Sequence, residues 1–587
     1  MERIRPAIQS AILGVLLAGP LAGQARPLFG VMIPMRDGVK LATDVWLPEA
    51  PGRYPIILIR TPYGRVTDML NVPQWAEYYA ARGYGFAIQD VRGRGDSDGE
   101  FNFFFQEGHD GFDSIEWLAT QPWSNGRIGM MGVSYLGTVQ WLAAKEHPSH
   151  LVCMAPTAPA GRYLDELPFL GGALMHQWAL TWLNGTSGRV QQGDNARGVI
   201  WDRVLAHRPL LTADSVMGRP MRLYREFLTH PLMDDYWKRI QFTAGDFKKI
   251  DIPTLTVTGW FDGDQPGAMF YWRGLQQNAP SKEKHFLVGG PWEHAPTFLG
   301  GTLRVGDMEF TPESVVDVKA LHLAFFDWCL KGTAPKFDAP KSRVYVTGAN
   351  EWRSYDSYPP ATSSDRQLYL TSGGKANSVE GDGKLGWRPA ANDPPDHYSY
   401  DPKHPVPSEI GGEMYANDRR PVQRRDDVLV YTTEALTESL DVIGNVVVNL
   451  QAASDALDTD FTAVLTDVYP DGRAIKLGPE IGIRRARYRN GYTKEELLTP
   501  RTVANFRIEL YDIAHQFKPD TGSGSRSRAV RHLCTTRIKI RAIRSRRTWN
   551  GKWRTRRSIM TGRGRHRLRY RWSESRSYHK GEQRCPV

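Results

Sequence analysis

An α/β domain built on a parallel sheet, split by a helical insertion and followed by an all-β domain, is the architecture that this 587-residue sequence predicts. Three observations carry that prediction. Short apolar runs alternate with helical patterns over residues 30–155 and again over about 246–335. The intervening stretch, 156–245, is rich in Trp, Leu and Met at helical spacing, as in Leu174 to Leu183 and Met221 to Leu228. From residue 341 the pattern changes to short strands separated by turn residues: Val344–Thr347, Gln367–Leu370, Val428–Tyr431, Val446–Asn449 and Phe461–Leu465. That spacing reads as a β-sandwich.

In chain order, Met1–Ala25 reads as a secretory signal. Arg3 and Arg5 form a positive start, Ala11 to Ala18 an apolar core, and Gly23-Gln24-Ala25 a small-residue cleavage site. The apolar run is too short to span a bilayer, so export to the periplasm or beyond is expected, without stable membrane insertion. Ile56–Ile59 is a buried strand, and so is Arg127–Met131. The latter runs into Gly132-Val133-Ser134-Tyr135-Leu136-Gly137 and then into a helix, Thr138 to Lys145. A serine squeezed between small residues at a strand-to-helix corner sits in a strained turn, its hydroxyl exposed beside helix N–H groups that can receive an oxyanion. Leu136 stands where a plain G-x-S-x-G motif has its second glycine.

A serine nucleophile needs a base, and the base an orienting acid. Leu255–Thr258 is a strand followed by Gly259-Trp260-Phe261-Asp262; after a helix at about Ala268 to Gln277, the strand His285–Val288 is followed by Gly289-Gly290-Pro291-Trp292-Glu293-His294. Asp262 and His294 therefore end consecutive parallel strands at the edge where open α/β sheets place their sites. The order Ser134, Asp262, His294 is that of an α/β-hydrolase fold, here with an inserted helical cap over 156–245.

These motifs (G-x-S-Y-x-G, G-W-F-D and G-P-W-x-H), with Val31 to Pro48, Arg60-Thr61-Pro62-Tyr63-Gly64-Arg65 and Asp90 to Ser97, resemble the cocaine esterase / X-Pro dipeptidyl-peptidase family of serine hydrolases over about residues 30–519. The resemblance implies that Tyr63 supplies a phenolic O–H to the oxyanion hole beside the backbone N–H of Tyr135. It makes the 341–519 domain a jelly roll. It also implies that carboxylates just after the catalytic aspartate hold a substrate ammonium in members acting on α-amino-acid esters. Here Asp264 falls at one such place and Gln265 replaces another, while Asp165 and Glu166 are candidates from the cap. The expected substrate is a small ester or short peptide, with a preference for acyl groups bearing a free α-amine. The alternatives are an X-Pro dipeptidyl-peptidase and a catalytically inactive binding protein. Trp178, Trp182 and Trp201 are candidate pocket aromatics.

The four cysteines, Cys153, Cys329, Cys534 and Cys585, show no metal spacing and no dense disulfide framework, and Cys153 reads as a core residue. No phosphate loop, dinucleotide fingerprint or metal cluster is present, so no cofactor and no metal are expected. Nothing in the sequence fixes an oligomeric state. The net charge of +11 invites a nucleic-acid partner, but residues 521–587 hold 21 Lys+Arg against 2 Asp+Glu, leaving 54 against 62 upstream. All the basicity is one block, beginning after His515-Gln516-Phe517-Lys518-Pro519. The family phrase continues as G-H-R-I-R-I-E; the DNA string GGACACCGGATCCGGATCGAGA encodes it in one frame and Asp520-Thr521-Gly522-Ser523-Gly524-Ser525-Arg526 in the next. A frameshift at about 519–520 is therefore expected, leaving 520–587 a structureless basic tail and the jelly roll cut short, with unpaired strand edges. The other reading is a genuine basic arm for nucleic acid or anionic lipid.

Overall fold

The computed structural model describes residues 25–66, 72–192, 198–408, 415–519 and 537–546, the last by its backbone. The expected signal sequence lies outside the described residues. Ten strands form one mixed sheet: β1 (Arg26–Pro34), β2 (Lys40–Leu47), β3 (Tyr54–Thr61), β4 (Gly85–Asp90), β5 (Ser124–Val133), β6 (Leu151–Thr157), β7 (Thr254–Gly259), β8 (His285–Gly290), β9 (Ser342–Val346) and β10 (Glu351–Tyr355). Their order is β1-β2-β4-β3-β5-β6-β7-β8-β9-β10. Neighbours from β4 through β9 pair in parallel, and β1, β2 and β10 join antiparallel. A parallel sheet needs helices on both faces, which is why β3 reads as a continuous apolar run. Ile57 and Ile59 pack on one face with Trp75 and Tyr79 of α1 (Val72–Ala80). Ile56 and Leu58 pack on the other with Ile115 and Leu118 of α2 (Glu107–Ala119) and Trp141 of α3 (Tyr135–Lys145).

Between β6 and β7 the chain leaves the sheet for a set of short helices: α4 (His176–Thr186), α5 (Trp201–Ala206), α6 (Ala213–Met217) and α7 (Arg222–Thr229). After β7 comes α8 (Gln265–Asn278), after β8 come α9 (His294–Leu299) and α10 (Val318–Phe326). The C-terminal β domain contains β11 (Gln367–Thr371), β12 (Lys384–Gly386), β13 (His397–Ser399), β14 (Leu440–Ser454), β15 (Asp460–Val468), β16 (Ala474–Arg485) and β17 (Ala504–Phe517). Its longest pairing is antiparallel β14 with β17, from Leu440 opposite Phe517 to Ala452 opposite Ala504.

Three expectations are corrected here, and one crosslink that the sequence did not show is added. Ser342–Val346 belongs to the main sheet, parallel to β8, rather than to the β domain; a period-two pattern does not say which sheet a strand joins. Val428–Tyr431 makes only an isolated bridge, Leu429 to Asn377, instead of a strand. Cys153, fully buried in β6, is disulfide-bonded to Cys329, 176 residues away; no local spacing could show that pair. Within the tail expected to lack structure, Arg537–Arg546 forms β18, which runs parallel to and between β11 and β14. Its Arg-Ile-Lys-Ile start is a period-two pattern, and the slot would otherwise leave two edges unpaired. The rest of that tail lies outside the described residues.

Candidate active site

Ser134 stands at the corner between β5 and α3 with φ 61° and ψ −126°, a conformation costly for a residue with a Cβ. Its N–H donates to Thr157 O at 3.0 Å. Around it side chains are excluded. A Cβ on Gly132 would lie 2.5 Å from that of Leu136, and one on Gly137 would lie 2.6 Å from Thr157 O. The glycine that matters for helix–strand approach is therefore Gly137, which explains why buried Leu136 is accommodated one position earlier.

Asp262 and His294 are brought together by two interlocked turns. Trp260 N–H donates to Gly290 O and Phe261 N–H to Trp292 O, lacing the loop after β7 to the loop after β8. Trp292 fills the space beside Gly290, where a Cβ would sit 2.3 Å from the indole, and Trp260 does the same at Gly289, 2.4 Å. In consequence His294 Nδ1 lies 2.7 Å from Asp262 Oδ1, and Asp262 is fully buried. The Asp264 N–H also donates to Asp262 Oδ1, at 2.9 Å. With Nδ1 engaged, His294 Nε2 faces Asp264 Oδ2 at 3.9 Å, and the Ser134 hydroxyl donates to that same oxygen at 3.5 Å. No hydrogen bond joins Ser134 to His294 directly among the described residues; Asp264 sits between them.

This crowding of carboxylates sets the proton affinities. Burial disfavours charge on His294, but Asp262 and Asp264 outweigh it and push the imidazole up to about 10. Burial pushes Asp264 up to about 7, opposed by His294 and reinforced by Asp262.

The remaining predicted residues divide. Tyr63, on the loop after β3, leaves the same sheet edge as Ser134 and accepts from Trp182 Nε1 at 3.3 Å. Tyr135 offers the site only its backbone N–H, at the first position of α3, because its phenol is bonded to Phe103 O at 2.6 Å and Glu107 at 2.8 Å. Trp182 stacks on Tyr135, and Trp178 on Trp182, so both line this side; Trp201 starts α5 and packs against the cap's apolar core. Glu166 is buried and accepts from three backbone N–H groups, Gly161 at 2.8 Å, Arg162 at 2.9 Å and Gly267 at 2.9 Å. It is a loop anchor whose charge still reaches Asp264 and His294. Asp165 is corrected: it is committed to Arg162 at 3.0 Å, Arg484 at 3.2 Å and Tyr492, a tie between cap and β domain rather than an amine ligand.

Two residues escaped the sequence reading. Glu480, on β16, brings Oε1 within 3.3 Å of where a Gly263 Cβ would be, and its charge acts on Asp264. Burial raises its pKa, Lys476 opposes and Asp262 adds to the rise. Fully buried Arg94 ties Pro62 to the end of α4 through Pro62 O and Thr186 O, both at 2.6 Å. Glu480 had no local signal, because it acts from the β domain; Arg94 lies in the Asp90 to Ser97 motif, but its bond to Thr186 reaches the cap, which no local pattern shows.

A strained strand-to-helix serine, a histidine–aspartate pair on the next strand ends and a phenol at the same edge define a serine hydrolase of α/β-hydrolase fold. Residues 37–296 match the family described as X-Pro dipeptidyl-peptidase (S15 family), and 335–519 match the X-Pro dipeptidyl-peptidase C-terminal non-catalytic domain. The chain is 34% identical to the cocaine esterase of Rhodococcus sp. (strain MB1 Bresler), covering 83% of this chain and 88% of that one. An aminopeptidase from a marine-sediment Thaumarchaeota archaeon superimposes with TM-score 0.73 at 28% identity, over 87% of this chain and 90% of the other. An α-amino acid ester hydrolase does so with TM-score 0.71 at 26% identity, over 87% and 91%. The chain belongs to the cocaine esterase / X-Pro dipeptidyl-peptidase family of serine hydrolases.

Proposed function

We propose that this enzyme cleaves esters or amides through an acyl-enzyme on Ser134, with His294 as base and Asp262 as its orienting acid, and that it favours acyl groups carrying a free α-amine. The observation that carries the reading is the 2.7 Å pair of His294 Nδ1 with buried Asp262, beside Ser134 at its strained corner. Asp262 fixes the tautomer that leaves Nε2 free to take the Ser134 proton, which it then gives to the leaving group. Tyr63 O–H and the Tyr135 N–H receive the tetrahedral oxyanion, each such donor contributing roughly 3–4 kcal/mol.

The amine preference follows from Asp264. Its carboxyl lies within reach of the acyl group that Ser134 carries, with buried Glu166 and Glu480 behind it; burial raises the pKa of all three, so a substrate ammonium placed there would favour their ionised forms. An ammonium there also relieves the repulsion among the carboxylates. Hydrolysis of matched amino-acyl and plain acyl esters tests it: Asp264→Ala is expected to lower the amino-acyl to acyl ratio of kcat/KM at least tenfold, and an unchanged ratio contradicts the preference.

Export is part of the same proposal. A disulfide joining two buried cysteines, Cys153 and Cys329, supports an oxidising destination. No helix among the described residues is long and apolar enough to cross a membrane.

A further inference from the structure

Tyr63 cannot stabilise an oxyanion merely by being near it: its single proton has to point into the site. A phenolic oxygen carries one proton and two lone pairs, so it rotates to suit whichever acceptor is available. An indole N–H, by contrast, only donates. Trp182 Nε1 lies 3.3 Å from the Tyr63 oxygen, so it occupies a lone pair and leaves the Tyr63 proton to be given elsewhere. The site lies on that other side: β3 and β5 pair in parallel, so Tyr63 and Ser134 leave the sheet at the same edge.

We propose that Trp182 is the positioning residue of the oxyanion hole, its indole N–H fixing the direction in which Tyr63 donates. The inference rests on the oxyanion role given to Tyr63 above. It differs from a pocket-wall role for Trp182, which would need only the ring.

The surroundings hold this arrangement from both ends. The Trp182 ring is stacked against Trp178, centroids 5.8 Å apart and planes 8° from parallel, and against Tyr135 at 6.1 Å and 21°. Phe103 meets it edge-on at 5.7 Å. The helix that carries Trp182 and the loop that carries Tyr63 are joined by one buried guanidinium: Arg94 Nε donates to Pro62 O, next to Tyr63, and Nη1 donates to Thr186 O, at the end of α4. Cap and oxyanion loop therefore keep one relative position, and a 3.3 Å contact across them is maintained by structure rather than by the substrate.

The test is a double-mutant cycle on kcat and KM for a simple chromogenic ester, with Tyr63→Phe, Trp182→Phe and the pair. Tyr63→Phe is expected to lower kcat a hundredfold or more. Trp182→Phe, which keeps a ring but removes the N–H, is expected to lower kcat about tenfold, the worth of one aligned hydrogen bond, with KM little changed. In the Tyr63→Phe background the Trp182 substitution is expected to add nothing. Replacing Trp182 by 3-benzothienylalanine, which keeps both fused rings and loses only the N–H, should reproduce the loss and answers any repacking in the Phe variant. Additive losses, an effect confined to KM, or full kcat in the benzothienyl protein would overturn the proposal. If Tyr63→Phe keeps full kcat, the oxyanion reading itself fails, and this inference with it.

Discussion

The least ordinary residue in the site is Asp264, because one of its oxygens faces both the Ser134 hydroxyl and His294 Nε2. An anion there favours the proton on His294, and a protonated imidazole cannot accept from Ser134. Asp264 and His294 act on one another: burial pushes Asp264 up to about 7 against the pull of His294, and Asp262 and Asp264 push His294 up to about 10 against burial. The acid limb of kcat/KM for a plain acyl ester is therefore expected to lie well above an ordinary histidine limb. Asp264→Asn removes one of the three charges, with Asp262 and Glu166, that raise His294, so the limb should move to lower pH. A pH–rate profile with the limb unmoved, or moved upward, would contradict this coupling. The approach of His294 to Asp262 at the sheet edge that carries Ser134 was legible in the sequence, because each of the three follows a strand in a fixed order. The roles of Asp165 and Glu480 were not, since their partners lie on another domain: Asp165 points to Arg484, and Glu480 reaches back from β16 to the Asp262 loop.

At the scale of elements, the strands and helices bearing Ser134, Asp262 and His294 were readable from apolar runs alone. Parallel strands buried on both faces, such as β3 and β7, leave little ambiguity about their existence. What the pattern did not carry was membership. β9 has the same alternation as a sandwich strand, yet pairs with β8 through Leu287 opposite Ser342. Long-range covalent pairing was equally silent. The disulfide from β6 to the segment after α10 closes a loop of 176 residues beneath the nucleophile strand's neighbour. Such a crosslink is expected to stabilise by roughly 2–4 kcal/mol. Thermal unfolding of Cys153→Ala/Cys329→Ala should show a lower Tm, and wild type under reductant should approach it; equal melting in all three would remove the bond from the account.

For the whole molecule, the β domain is part of how the site is built. Gln265, three residues past Asp262, donates to Asp512 O at 2.5 Å, and Arg273 pairs with the Asp512 carboxylate at 2.7 Å. The start of α8, and with it the Asp262–Asp264 turn, is thus pinned by β17. The strand β18 fills the slot between β11 and β14, although the chain past Pro519 has lost the family's phrase. Both a repaired frame, which would supply Arg-Ile-Arg-Ile, and the present Arg-Ile-Lys-Ile offer a period-two strand. We expect resequencing of the locus to find a one-base shift at about codon 519–520. An uninterrupted frame, with tail peptides such as those around Arg537–Arg546 seen by mass spectrometry of the native protein, would refute the frameshift.

All of these scales meet in one hydroxyl, and a fluorophosphonate probe reads it directly. Peptide mapping after labelling should place the adduct on Ser134, with no label in a Ser134→Ala variant of unchanged Tm. A folded wild-type protein that takes no label, or one whose label survives that substitution, would contradict Ser134 as the nucleophile.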